Sequence, residues 1–117
     1  TALAIYETYP NPAEMALSNN QLGNSIVELG RYFEATEYYR RSLGLCQTHN
    51  IINADLEGSI LNNLALALGH IGDYQEQKRI LEFLLKCYEE TFGPAHIEVA
   101  ITTNNLAICY TATAEYE

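Results

Sequence analysis

Leu22, Leu64 and Leu106 stand 42 residues apart, and so do Asn20, Asn62 and Asn104, Tyr32, Tyr74 and Tyr116, and the turn positions Gly30, Gly72 and Ala114. The central copy, Leu61-Asn62-Asn63-Leu64-Ala65-Leu66-Ala67-Leu68 closed by Gly72-Asp73-Tyr74, spaces its apolar residues for a helix. A fixed period of about 20–50 residues with helical spacing inside each unit means that one helical pair is copied and stacked. Each copy buries its apolar face on the next. The expected fold class is therefore all-α, an α-α superhelix of antiparallel helix pairs that offers a surface for binding.

Taken in order, residues 1–9 look like the tail of a preceding helix, because Ala2-Leu3-Ala4-Ile5 falls in register with Ser42-Leu43-Gly44-Leu45. Asn11-Pro12-Ala13-Glu14 supplies an N-cap, a proline at the first helical position and a first-turn carboxylate. A helix is expected over 12–29, with Met15, Leu22, Ile26 and Leu29 as its apolar positions and Gly30 as its left-handed stop. Tyr32 opens the returning helix, whose apolar set is Phe33, Ala35, Tyr38, Tyr39, Leu43 and Leu45. Arg31, Glu34, Glu37, Arg40 and Arg41 form its solvated side. The plan repeats with Asp55–His70, Tyr74–Thr91 and His96–Thr113, so repeat 1 spans 12–50, repeat 2 spans 54–92 and 96–117 is the first helix of a third. Both ends fall inside a hairpin, and the array is expected to be a truncated piece of a longer one with exposed ends open to self-association.

Six Lys and Arg against fifteen Asp and Glu give a formal net charge of −9, which disfavours nucleic acid and anionic membrane surfaces. Cys46, Cys87 and Cys109 are odd in number, far apart and without a CxxC pair. They read as free thiols in a cytoplasmic, reducing setting. His49, His70 and His96 fall on different elements, away from metal spacing, and read as surface or interhelix histidines. No phosphate loop, nucleophile elbow or Cys-His constellation is present, so neither catalysis, a metal nor a cofactor is expected.

Leu22-Gly23 with Ile26, Gly30, Tyr32, Ala35 and Tyr39, then Leu64-Ala65 with Leu68, Gly72, Tyr74 and Leu81, then Leu106-Ala107 with Tyr110, follow the tetratricopeptide pattern. Gln77 stands at that pattern's small position. The chain resembles a tetratricopeptide array over essentially its whole length. The period exceeds the usual one by eight residues, about 12 Å of helix at 1.5 Å per residue. In this, and in His96-Ile97-Glu98-Val99-Ala100 before Asn104-Asn105-Leu106-Ala107, it is similar to the kinesin light chain type. Ile97, Thr103 and Asn19 depart from that type, and there is no tryptophan.

The resemblance implies that Leu61, Leu64, Ala65 and Leu68 and their equivalents pack against the second helix. It also implies that a face a third to half a turn round lines a concave groove for a peptide or partner helix. On that face are Asn20, Asn24, Asn62, Asn63, Leu66, His70, Asn104, Asn105 and Ile108. An Asn amide both donates and accepts, so Asn20, Asn62 and Asn104 can hold a peptide main chain in register. Two sets, Asn24, Leu66 and Ile108 and then Val27, Gly69 and Thr111, would form pockets between them. Gln21, Asn63 and Asn105 serve a structural role equally well. Kinesin light chains take acidic peptides with basic groove residues, but this groove has Glu28 and His70 and no Lys or Arg. A neutral, apolar or mildly basic segment fits it. The expected role is a protein-interaction scaffold. A sensor controlling an effector domain of its own chain and a self-associating architectural array are the alternatives.

Overall fold

In the computed structural model, residues 11–51 and 53–115 are described, and the expectations for 1–9 and for Tyr116 lie outside them. Five helices follow one another: α1 (Pro12–Glu28), α2 (Tyr32–Thr48), α3 (Ala54–Ile71), α4 (Tyr74–Phe92) and α5 (Ile97–Glu115). No strand occurs among the described residues. The ends agree with the sequence reading to within one or two residues, because local chemistry sets them. Asn11 Oδ1 accepts the Ala13 and Glu14 N–H groups at 2.9 and 3.4 Å ahead of Pro12, Asn53 Oδ1 accepts Leu56 N–H and Asp73 Oδ1 accepts Glu76 N–H. At the other ends Gly30 and Gly72 adopt φ of +77° and +86°. There Arg31 N–H reaches Ile26 C=O, and Asp73 N–H reaches Leu68 C=O. With the shorter bonds from Gly30 N–H to Val27 C=O and from Gly72 N–H to Gly69 C=O, each closes a Schellman turn. Asn50, at φ +52°, closes α2 the same way, with Ile51 N–H on Cys46 C=O.

The chain divides into two compact units, Thr1–Ile60 and Leu61–Glu117, with the boundary inside α3. In the first, α1 lies against α2 along a seam of small side chains. Ala16, Asn20 and Gly23 are buried from α1, and Ala35, Thr36, Tyr39, Ser42 and Cys46 from α2. The Ser42 hydroxyl donates to the Ala16 carbonyl, and the Tyr39 ring lies so close over Gly23 that a Cβ there would sit 2.5 Å from Cε1. In the second unit the core joins Ala65 of α3, Leu81 and Leu84 of α4, and Leu106 and Cys109 of α5, flanked by Leu61, Tyr74, Ile80, Leu85 and Tyr88.

The expected apolar sets need correction. Leu22 is 49% exposed where Leu64 is 2% and Leu106 5%, and Met15, Leu29 and Phe33 are exposed as well. The reason is visible at Leu106, which packs with Leu81 and Leu84 of the preceding second-type helix. No second-type helix precedes α1 among the described residues. The seam within a pair is built instead from the small residues one turn-face away, which let two helix backbones approach closely.

Candidate functional site

Helix α3 places Asn62 and Asn63 half-buried and Leu66 and His70 exposed, while α5 places Asn104 and Ile108 exposed and Asn105 half-buried. On α5 the exposed side continues through Ile97 and Ile101, so Ile97, Ile101, Asn104 and Ile108 recur four, three and four residues apart on one helix face. The two isoleucines were missed in the sequence reading. Their signal was present: Glu98 and Glu115 are the only charged residues of α5, so no polar face was available to be its solvated side. Helix α3 likewise carries no Lys or Arg. The exposed sides of α3 and α5 in the second unit therefore carry apolar side chains and amides and no Lys or Arg, an uncharged strip on each helix.

Two expected residues sit differently. Asn20 is 5% exposed and donates its amide to Ser59 Oγ at 3.3 Å, so it holds α1 to the start of α3 and does not face a ligand. Asn24 is exposed, but its Oδ1 accepts the Tyr39 hydroxyl at 2.6 Å. Gly69, expected to shape a pocket, is instead covered by Gln77, whose Nε2 would lie 2.5 Å from a Cβ there. This half-buried position follows from the repeat itself, because Gly69 aligns with half-buried Val27 rather than with exposed Asn24. Thr111, at the same register, is exposed and bonds its hydroxyl to Ala107 C=O at 2.9 Å.

The titratable groups are set by packing. Burial pushes the Tyr39 phenol up to about 12. Burial also raises the thiols of Cys46, with Glu57 adding to the effect, and of Cys109, so both stay protonated and poorly nucleophilic at neutral pH. Tyr110 donates to Glu82 at 2.7 Å, which raises its phenol, and Lys78 lies 5.9 Å from its ring centre. These contacts fasten α5 to α4. His96 accepts the Glu98 N–H on Nδ1 at 3.1 Å and stacks on Phe92 at 4.2 Å, so it caps α5. No cluster of three or more potential metal ligands occurs among the described residues, and no described helix is long and apolar enough to cross a membrane.

The sequence profile described as tetratricopeptide repeat matches residues 14–76 and again 56–117. No curated protein matches the chain. The two profile matches overlap and together cover the helices from within α1 to the end of α5. With the paired helices, the closing glycines 42 residues apart and no strand among the described residues, they make one assignment: the chain belongs to the tetratricopeptide repeat family.

Proposed function

We propose that this chain is a protein-interaction module and that its ligand lies along the uncharged strip of α3 and α5. Leu66 and Ile108 serve as apolar anchors, with Asn62 and Asn104 gripping main-chain amides between them. Tetratricopeptide repeats are in general protein–protein interaction modules. The observation that carries the assignment here is Ile108, 60% exposed beside exposed Asn104 on a helix with almost no charge. Exposed apolar residues grouped in this way mark interaction surfaces, whereas solitary ones need no explanation. A net charge of −9 adds long-range attraction for a mildly basic segment and repulsion for an acidic one. The buried, protonated thiols and the absence of CxxC pairing fit a reducing, cytoplasmic setting.

Selection of a random peptide library on the folded protein tests this. Enriched peptides should carry apolar residues with Lys or Arg nearby and should lose affinity when Ile108→Glu or Asn104→Ala is introduced with unchanged circular dichroism. Enrichment of acidic peptides, or binding indifferent to both substitutions, would remove the assignment.

A further inference from the structure

The helices α1, α3 and α5 begin under unlike caps. Asn11 starts α1 with its C=O on Met15 N–H and its Oδ1 on Ala13 N–H and Glu14 N–H, and Asn53 starts α3 with its C=O on Glu57 N–H and its Oδ1 on Leu56 N–H. The residue in register with Asn11 and Asn53 ahead of α5 is Ala95, which has no side-chain acceptor. The start of α5 moves one residue along, to His96. The His96 carbonyl accepts Val99 N–H and Ala100 N–H at 3.1 and 3.2 Å, and its Nδ1 accepts Glu98 N–H at 3.1 Å. The half-buried ring lies on Phe92 with centroids 4.2 Å and planes 18° apart, and Phe92 in turn lies 6.1 Å from Tyr88. An Asn amide does not titrate, whereas an imidazole nitrogen that takes a proton turns from acceptor into donor.

We propose that His96 makes the first turn of α5 a pH-sensitive element: the neutral ring pins the turn, and the imidazolium releases it as pH falls through the range of about 5–8 in which histidine changes charge. A proton on Nδ1 sets one N–H against another, that of Glu98, at the helix end whose unpaired donors and dipole already carry positive charge. The ring itself stays on Phe92, because an aromatic face attracts a cation. What is lost is the bond to α5. The titratable and charged groups on the elements around it are Tyr88, Glu89 and Glu90 near the end of α4 and Glu98 at the start of α5. Neither the last turn of α4 nor the first of α5 holds a Lys or Arg, and Gly93, Pro94 and Ala95 between them carry no charge, so no fixed cation stands against the imidazolium. On the reading that α5 binds a ligand, the released turn is the outer end of its strip, with Ile97 and Ile101 exposed on it. The switch itself needs no ligand and stands if that reading fails.

Amide hydrogen exchange of the intact chain without ligand, followed by NMR at about pH 7.5 and about pH 5 and corrected for the intrinsic pH dependence of exchange, tests the switch. Protection of Val99 and Ala100 should fall about five- to tenfold at the lower pH, the worth of a cap, while Met15 and Glu57 under their Asn caps change less than about twofold. His96→Asn should keep Val99 and Ala100 at their higher-pH protection throughout, and His96→Ala should show the low level at both pH values. His49 and His70 remain in both variants, so any effect of theirs persists and is told apart. An equal response of the three helices, a response that survives in His96→Asn, or His96→Ala matching the unaltered protein at the higher pH would overturn the proposal. The comparison among helices of the unaltered protein decides even where a variant fails to fold.

Discussion

Gly23→Ala is a substitution for which helix propensity and packing predict opposite signs. In an interior helical position Ala is favoured over Gly by about 1 kcal/mol. The added Cβ, however, would lie 2.5 Å from Tyr39 Cε1 and 2.8 Å from Cδ1 and Cζ, about 1 Å inside ordinary carbon contact. The ring has little freedom to yield, being 1% exposed and tied by its hydroxyl to Asn24. Overpacking of this kind costs about 1–3 kcal/mol, so the net change is a destabilisation of up to about 2 kcal/mol. Tyr39→Leu alone removes ring volume and a hydrogen bond and should cost about 2–4 kcal/mol. Combined, the methyl enters space that the ring vacated, reproducing the Ala65 and Leu81 pair of the second unit. Gly23→Ala should then stabilise the Tyr39→Leu protein by up to about 1 kcal/mol, with a coupling of about 1–3 kcal/mol. Urea unfolding of the four proteins, followed by circular dichroism, measures the cycle. Additivity within about 0.5 kcal/mol, or a stabilising Gly23→Ala in the parent, would refute the close packing of Tyr39 on Gly23.

Other outcomes follow from the same packing. Because the Tyr39 phenol is raised to about 12 in the fold, its contribution is fully present below about pH 10 and is lost as pH rises towards 12, in total on the order of 3 kcal/mol. Tyr39→Phe should flatten that part of the alkaline stability profile, and parallel profiles for the two proteins would disprove it. Gly72→Ala should destabilise by about 1–2 kcal/mol through its φ of +86° alone, since no atom lies within 4 Å of the new Cβ. Gly72→Asn should cost less, as a comparison of unfolding midpoints would reveal. Iodoacetamide should alkylate half-buried Cys87 first and spare Cys46 and Cys109 until the protein unfolds. Mass spectrometry after timed labelling would show the reverse order if burial did not control reactivity.

Helix positions were legible because their signals are local. Asn11-Pro12, Gly30, Gly72 and Asp73 act on backbone groups within a few residues, and the sequence places them directly. The burial pattern was less legible because it depends on neighbours. Ranking residues by apolar size favours Leu22, Leu29 and Phe33, yet all three are exposed. Meanwhile Asn20, Thr36, Ser42 and Gln77 are buried with their polar atoms satisfied. Small polar residues suit a close helix seam, where hydroxyls such as that of Thr36 return their hydrogen bond to Phe33 C=O of the same helix. Equivalence along the repeat treats Asn20, Asn62 and Asn104 alike, yet Asn62 is half-buried, Asn104 is exposed and Asn20 is buried against Ser59, where the next copy has Ile101. A repeat fixes where a residue stands on its helix, and the neighbouring copy decides what it touches.

The unequal seams also bear on how the chain avoids misfolding. In an array of similar hairpins every first-type helix has more than one near-copy of its mate in the same molecule, and exchange between neighbours is a characteristic failure of repeat proteins. If α1 took α4 in place of α2, Leu81 would leave a void over Gly23 and Gln77 would crowd Val27; the opposite exchange would drive Tyr39 into Ala65. Divergence at four side chains thus penalises a slip of one whole repeat while leaving the backbone of each hairpin the same.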